Sequence, residues 1–167
     1  MGEIFKEQIV PRASLLSDTL KKAGLITAVA LLSVAAMLVM EALALAIVMG
    51  GGVLCWFLFS YFDVEYEYAV TGGRLEIDCI YGKARRKSLV KCDASSIELF
   101  TFVGNDSAAD LKPNVVRDYS SRMKETEKYY FIVNIGDKKT KIIFEPNPEL
   151  LAALLPFLGS RKILRRR

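Results

Sequence analysis

Between Lys22 and Asp63 stand 40 residues of which only Glu41 is charged, and directly after Asp63 the chain alternates between apolar and acidic residues. One helix through that apolar run would be about 60 Å long, roughly twice the hydrocarbon thickness of a bilayer. Two spans of about 20 residues joined by a turn fit better, and they are predicted over Ala23–Met40 and Ala42–Phe62. "ALALA" at Ala42–Ala46 imitates a signal-peptide cleavage site. The apolar run before it is too long for an h-region, however, and 22 mostly polar residues come first. Glu41 is therefore expected at the outer interface, although an ionisable group within an apolar run is a functional candidate in its own right.

From Val64 the period is two: Val64, Tyr66, Tyr68 and Val70 share one face, with Glu65, Glu67 and Ala69 on the other. "TGGR" at Thr71–Arg74 reads as a hairpin turn, since paired glycines accept positive φ, and Leu75–Tyr81 continues the pattern. A second turn at Gly82-Lys83 starts a basic third strand, Ala84–Lys91. Further strands are expected at Ile97–Phe102, Val115–Tyr119, Tyr129–Ile135 and Thr140–Phe144, with "GNDSAADLKPN" a long loop before Val115. Asn147 suits an N-cap and Pro148 a first helical position. Leu150, Leu151, Leu154, Leu155 and Leu158 then form one stripe, until Pro156 ends or kinks the helix.

The resulting expectation is an α+β membrane protein. Its parts are an N-terminal segment 1–22, a transmembrane helical hairpin 23–62, a seven-stranded antiparallel β domain with a C-terminal capping helix at 63–160, and a basic tail 161–167. Composition agrees with two environments in one chain, because 52% hydrophobic residues coexist with 25% charged ones. Arg12, Lys21 and Lys22 flank the first span and the turn near Glu41 has no Lys or Arg, so both termini are expected on the cytoplasmic side of the cell membrane. Three cysteines without paired spacing suggest free thiols in a reducing compartment.

Candidate chemistry narrows mainly by elimination. The chain has no histidine, which removes Ser-His and Cys-His nucleophiles and the commonest metal ligand, and its cysteines lack zinc spacing. "GGG" at Gly50–Gly52 lies inside an apolar span and lacks the Lys-Ser/Thr of a phosphate loop. No enzymatic activity, metal or cofactor is expected. Turn geometry sets Glu67 opposite Asp78, and Asp78 opposite Lys87, so the acids of the first two predicted strands read as cross-strand ion-pair partners of the basic third. Lys83, Arg85 and Arg86, together with Arg161, Lys162, Arg165, Arg166 and Arg167, are candidates for attraction to an anionic leaflet. Nucleic acid is not an expected partner, for no basic surface is interleaved with stacking aromatics. Ala42, Ala46 and Gly50 form a small-residue stripe that packs either the hairpin on itself or one hairpin on another.

Seven strands and a closing helix in about 100 residues is the element order of the pleckstrin-homology (PH) superfold. The chain resembles a family of small bacterial membrane proteins with a two-helix membrane hairpin and a PH-like domain. That resemblance is carried by "EQIV" at Glu7–Val10, "FDVEYEY" at Phe62–Tyr68, "LEID" and "IYGKARRK" within Leu75–Lys87, and "KIIFEPNPELLAAL" at Lys141–Leu154. It implies architecture and no known activity. PH domains that bind inositol phosphates gather basic residues around their first hairpin loop, which here reads as "TGGR", so specific head-group recognition is not favoured. The expected function is a membrane-tethered, non-enzymatic binding or scaffolding module whose partners are the bilayer and a membrane or cytoplasmic protein. The alternative is a small transport or channel component with oligomerised hairpins and Glu41 on the path. Val115, Val116, Arg117 and Tyr119 are the candidate partner-binding residues, because the strand that follows the long loop is the expected sheet edge.

Overall fold

The computed structural model describes residues 5–14, 16–104 and 112–159. In chain order the elements are β1 (Phe5–Pro11), α1 (Leu16–Met37), α2 (Glu41–Phe59), β2 (Val64–Thr71), β3 (Arg74–Tyr81), β4 (Arg85–Asp93), β5 (Leu99–Phe102), β6 (Val115–Asp118), β7 (Tyr129–Ile135), β8 (Lys138–Phe144) and α3 (Pro148–Leu154). They divide into two compact units, one of strands with α3 and one of the two long helices with the turn Tyr81–Arg85.

The strand unit holds two four-stranded sheets, ordered β1-β2-β3-β4 and β5-β7-β8-β6. All seven expected strands are present, and β1 makes an eighth that the sequence did not announce. It runs antiparallel to β2 from Phe5↔Thr71 to Pro11↔Glu65. Residues 5–11, expected to belong to a separate N-terminal segment, are therefore part of the first sheet. The expectation of an antiparallel domain also needs correction, because β6 lies parallel to β8, from Val115↔Thr140 to Asp118↔Ile143. A parallel neighbour cannot be joined by a hairpin, and the chain between β6 and β8 runs first through β7, which is antiparallel to β8.

Alternation along the strands turns Tyr68, Val70, Leu75 and Ile77 of one sheet and Phe100, Phe131, Ile142 and Phe144 of the other into a common core. Phe144 makes edge-on contacts with Tyr68, Phe100 and Phe131 at ring separations of 5.6, 6.1 and 5.3 Å. α3 contributes Leu150 and Leu154 to the buried set. Its N-terminus is capped as expected, the Leu150 amide donating to Asn147 Oδ1 at 2.8 Å, and at Leu155–Phe157 the chain tightens into a 3-10 turn around Pro156. Gly73, at φ +86°, must be glycine twice over: a Cβ there would also lie 2.6 Å from the Phe157 ring.

β1 is fastened to the domain by more than its ladder. Gln8 donates to the Glu145 carbonyl and accepts from the Asn147 amide, at 2.9 and 2.7 Å, while Lys6 pairs with Glu149 at 2.9 Å. The Lys6 hydrogen bond and charge hold the Glu149 carboxyl below its ordinary range.

In the helical unit α1 begins seven residues before the expected Ala23 and takes in Lys21 and Lys22, and Leu38–Met40 form the turn. Both helices are long and apolar enough to cross a bilayer. Lys22, Leu25, Val29, Ser33 and Ala36 are at least partly covered on α1, as are Ala44, Ile47, Gly51, Cys55 and Leu58 on α2, a spacing of three and four that makes one helix-helix seam. Leu31, Val34, Leu45, Val53 and Trp56 are each more than 60% exposed, so the apolar surface points outward. The stripe Ala42-Ala46-Gly50 lies outside the seam: Gly51 is the glycine against Val29, whereas Gly50 meets nothing within 4 Å. Packing of the hairpin on itself therefore does not account for that stripe.

Candidate functional site

β6 is the last strand of its sheet, and its outer edge is the surface expected to receive a partner. Residues 115–118 are strand, and Tyr119 follows as the first residue beyond it. The Tyr119 amide donates to the Ile143 carbonyl at 2.8 Å, in step with the parallel register. Backbone groups alternate along a strand, so Val116, three residues earlier, presents its amide and carbonyl away from β8. Its side chain is 58% exposed.

A short parallel strand has little ladder to hold it, and the residues after β6 hold it instead. Tyr68 donates its hydroxyl to the Tyr119 carbonyl. Ser120 donates from its amide and hydroxyl to Asp118 Oδ1 at 3.0 and 2.7 Å, and Ser121 likewise to Glu145 Oε2 at 3.2 and 2.6 Å. The Ser121 carbonyl accepts from the Ala13 amide at 2.8 Å. Both serines are buried with their polar atoms matched, which fixes the strand end in one position. Burial pushes the Tyr68 and Tyr119 phenols above their ordinary pKa, with Arg117 opposing the shift at Tyr119. Ser120, Ser121 and Glu145 were not expected as positioning residues: the Ser121–Glu145 bonds join positions 24 residues apart, and Ser120 acts through Asp118 at the end of a strand whose placement is itself tertiary.

Between β6 and the first half of β4 runs a groove of about 320 Å³. Its walls include Lys87 and Leu89 of β4, Val115 and Arg117 of β6, and Ile135 and Lys138 at the β7–β8 turn. Lys87 was expected to face Asp78; the cation found beside that carboxylate is Arg86. Arg86 pairs with Glu67 and lies 3.8 Å from Asp78, Lys91 pairs with Glu76 at 2.9 Å, and Arg74 with Asp93 at 3.3 Å. The acidic face of the first sheet is thus an ion-pair lattice, as the sequence implied. No cluster of metal-ligating residues occurs among the described residues.

The remaining candidates separate. Arg86 is engaged by carboxylates, whereas Lys83 is exposed in a turn at φ +57°. Arg85 donates to the Tyr61 hydroxyl and sits 5.4 and 6.0 Å from the Tyr61 and Phe57 ring centres. Lys22 sits 5.7 Å from the rings of both Phe59 and Phe62, so cations and aromatics share one end of the helical unit. Glu41 is exposed at the opposite end as the first residue of α2. Arg161, Lys162, Arg165, Arg166 and Arg167 lie outside the described residues. Cys79 is buried, and burial with help from Asp93 pushes the Cys92 thiol up to about 11.

Two sheets packed around an aromatic core and closed by a C-terminal helix define a PH-like domain, here with a helical pair inserted between its first two strands. The family described as bacterial PH-like domain (DUF6106) matches residues 2–163, and the chain belongs to it. Neither curated proteins nor solved structures yield a match to the chain.

Proposed function

We propose that this protein is a membrane-tethered, non-enzymatic binding or scaffolding module, anchored by α1 and α2 with its PH-like domain at the cytoplasmic face. The observation that carries the reading is the pairing of Pro11 with Glu65 across the whole helical insertion. Strands that share a ladder lie on one side of a bilayer, so the insertion crosses it an even number of times. Two helices of apolar, outward-facing surface meet that requirement. Lys22 and Arg85 beside Phe57, Phe59, Tyr61 and Phe62 supply the positive charge and aromatic belt of a cytoplasmic interface, and the Leu38–Met40 turn has neither. Permanent anchoring makes lipid affinity unnecessary for recruitment. A backbone edge beside cations and apolar side chains serves binding rather than bond-making.

Alkaline carbonate extraction followed by photo-crosslinking in intact membranes tests the proposal. The chain should stay in the membrane pellet and give a discrete protein adduct from the strand unit. Release into the supernatant overturns the tether, and absence of any protein adduct overturns the scaffold. The transport or channel alternative has one observation in its favour, the stripe Ala42-Ala46-Gly50 that the hairpin leaves uncovered.

A further inference from the structure

We infer that the groove between β4 and β6 receives an extended acidic polypeptide segment, added as a strand beside β6. This deepens the binding reading above by naming the surface and the partner's chemistry. Val116 turns its amide and carbonyl away from β8, toward no described strand, which is the valence an incoming strand satisfies. Lys87, Arg117 and Lys138 line the same groove, and none of them forms an ion pair with another described residue. Among the described residues, no carboxylate contributes to its lining. Asp118, next to Arg117, is already committed, with Oδ1 accepting from Ser120 and Oδ2 lying 3.8 Å from Arg122, and Asp137, next to Lys138, is exposed and outside the lining.

Charge complementarity therefore selects acidic side chains, while Leu89, Val115 and Ile135 offer apolar contact to the residues between them. A strand presents side chains alternately, so acidic and β-branched residues in turn match such walls. The bonds of Ser120 and Ser121 keep the edge preformed, which lowers the ordering loss on binding. An anionic lipid head group would use the same cations but has no backbone to pair with Val116. A polypeptide accounts for both features.

The test uses the full chain in nanodiscs of zwitterionic lipid and a fluorescein-labelled peptide of alternating Glu and Val, read by anisotropy. The peptide should bind at least about tenfold more tightly than its Lys-for-Glu counterpart and weaken as salt is raised. Arg117→Glu with Lys138→Glu should lower affinity by about tenfold or more, since both side chains are exposed and their loss leaves the core intact. Backbone N-methylation of alternate peptide residues should abolish binding at unchanged charge. Equal binding of the acidic and basic peptides, an unaffected charge-reversal variant, or undiminished binding of the N-methylated peptide each overturns the proposal. The last result, accompanied by Arg117- and Lys138-dependent flotation with anionic vesicles, would assign the groove to lipid. A protein adduct mapped to another surface would remove this groove and leave the membrane-tethered module standing.

Discussion

β1 and β6 are both short strands laid on a sheet edge by distant stretches of chain, yet they are held in opposite ways. β1 has seven antiparallel pairs, a buried Val10, and Gln8 bonded to two backbone groups of the segment that leads into α3. β6 has four parallel pairs, an exposed Val116, and its fastening beyond the strand at Tyr119–Ser121. One strand is held along its length; the other is held at its end, with no described strand on its outer edge. Anchoring a strand by its end rather than along its length is how a sheet presents an edge without losing it.

The sharpest way to break the comparison is to damage β1. Val10→Asp buries a carboxylate with no partner and should cost more than about 3 kcal/mol, read as a fall in the unfolding midpoint of the detergent-solubilised chain. Gln8→Ala leaves the Glu145 carbonyl and the Asn147 amide without a mate and should cost about 1–3 kcal/mol. Near-wild-type stability of both would show that β1 is dispensable.

Ser121→Ala tests the fastening of β6. Glu145 loses the hydroxyl partner at 2.6 Å, and about 1–2 kcal/mol should go with it. Affinity for the alternating Glu-Val peptide should fall as the edge loosens; a loss of stability with full affinity would separate the two roles. Val116→Pro should do the reverse. Its outward amide makes no ladder bond, so stability should fall by less than about 1 kcal/mol while peptide capture is lost. Full capture by a folded Val116→Pro chain would move the search to another surface.

Alkaline pH should erode the strand unit in a definable window. The Cys92 thiol rises from its ordinary value of 9.0 to about 11, so between those values the unfolded chain releases its proton first. The stabilisation is fully present below about pH 9 and is lost as pH climbs through 11, with Tyr68 adding to the decline above its ordinary value of 10.0. Cys92→Ala should flatten the fall between pH 9 and 10 in the urea midpoint, and an unchanged slope would reject the assignment.

The smallest effect is expected at the far end of the hairpin. Glu41→Gln should leave protein level and growth unchanged, because on the proposed tether the turn is interfacial and accepts an amide as readily as a carboxylate; a lost flux would favour the transport alternative. Cys79 and Cys92 are poor topology probes, one buried and the other held protonated. Introduced cysteines are better: Leu38→Cys should react with an impermeant maleimide on intact cells, and Glu125→Cys only after lysis. The opposite pattern reverses the orientation.

The sequence by itself determined whatever short-range chemistry records. Apolar run length marked the two helices, period-two alternation seven strands, glycine pairs their turns, and Asn147-Pro148 the start of α3. Such signals need no partner, since each residue reports its own preference or that of near neighbours. β1 escaped because one of its two inward positions in mid-strand is Gln8, so "FKEQIVP" carries no clean alternation, and its partner strand lies more than 50 residues away. The long loop before β6 pointed to an edge, but neither its parallel pairing nor Lys87 across the groove was legible. Only the tertiary structure decided those points. A strand's neighbours are chosen by what the whole chain can bury and pair at once, and so is the cation that reaches a given carboxylate, Arg86 rather than Lys87 at Asp78.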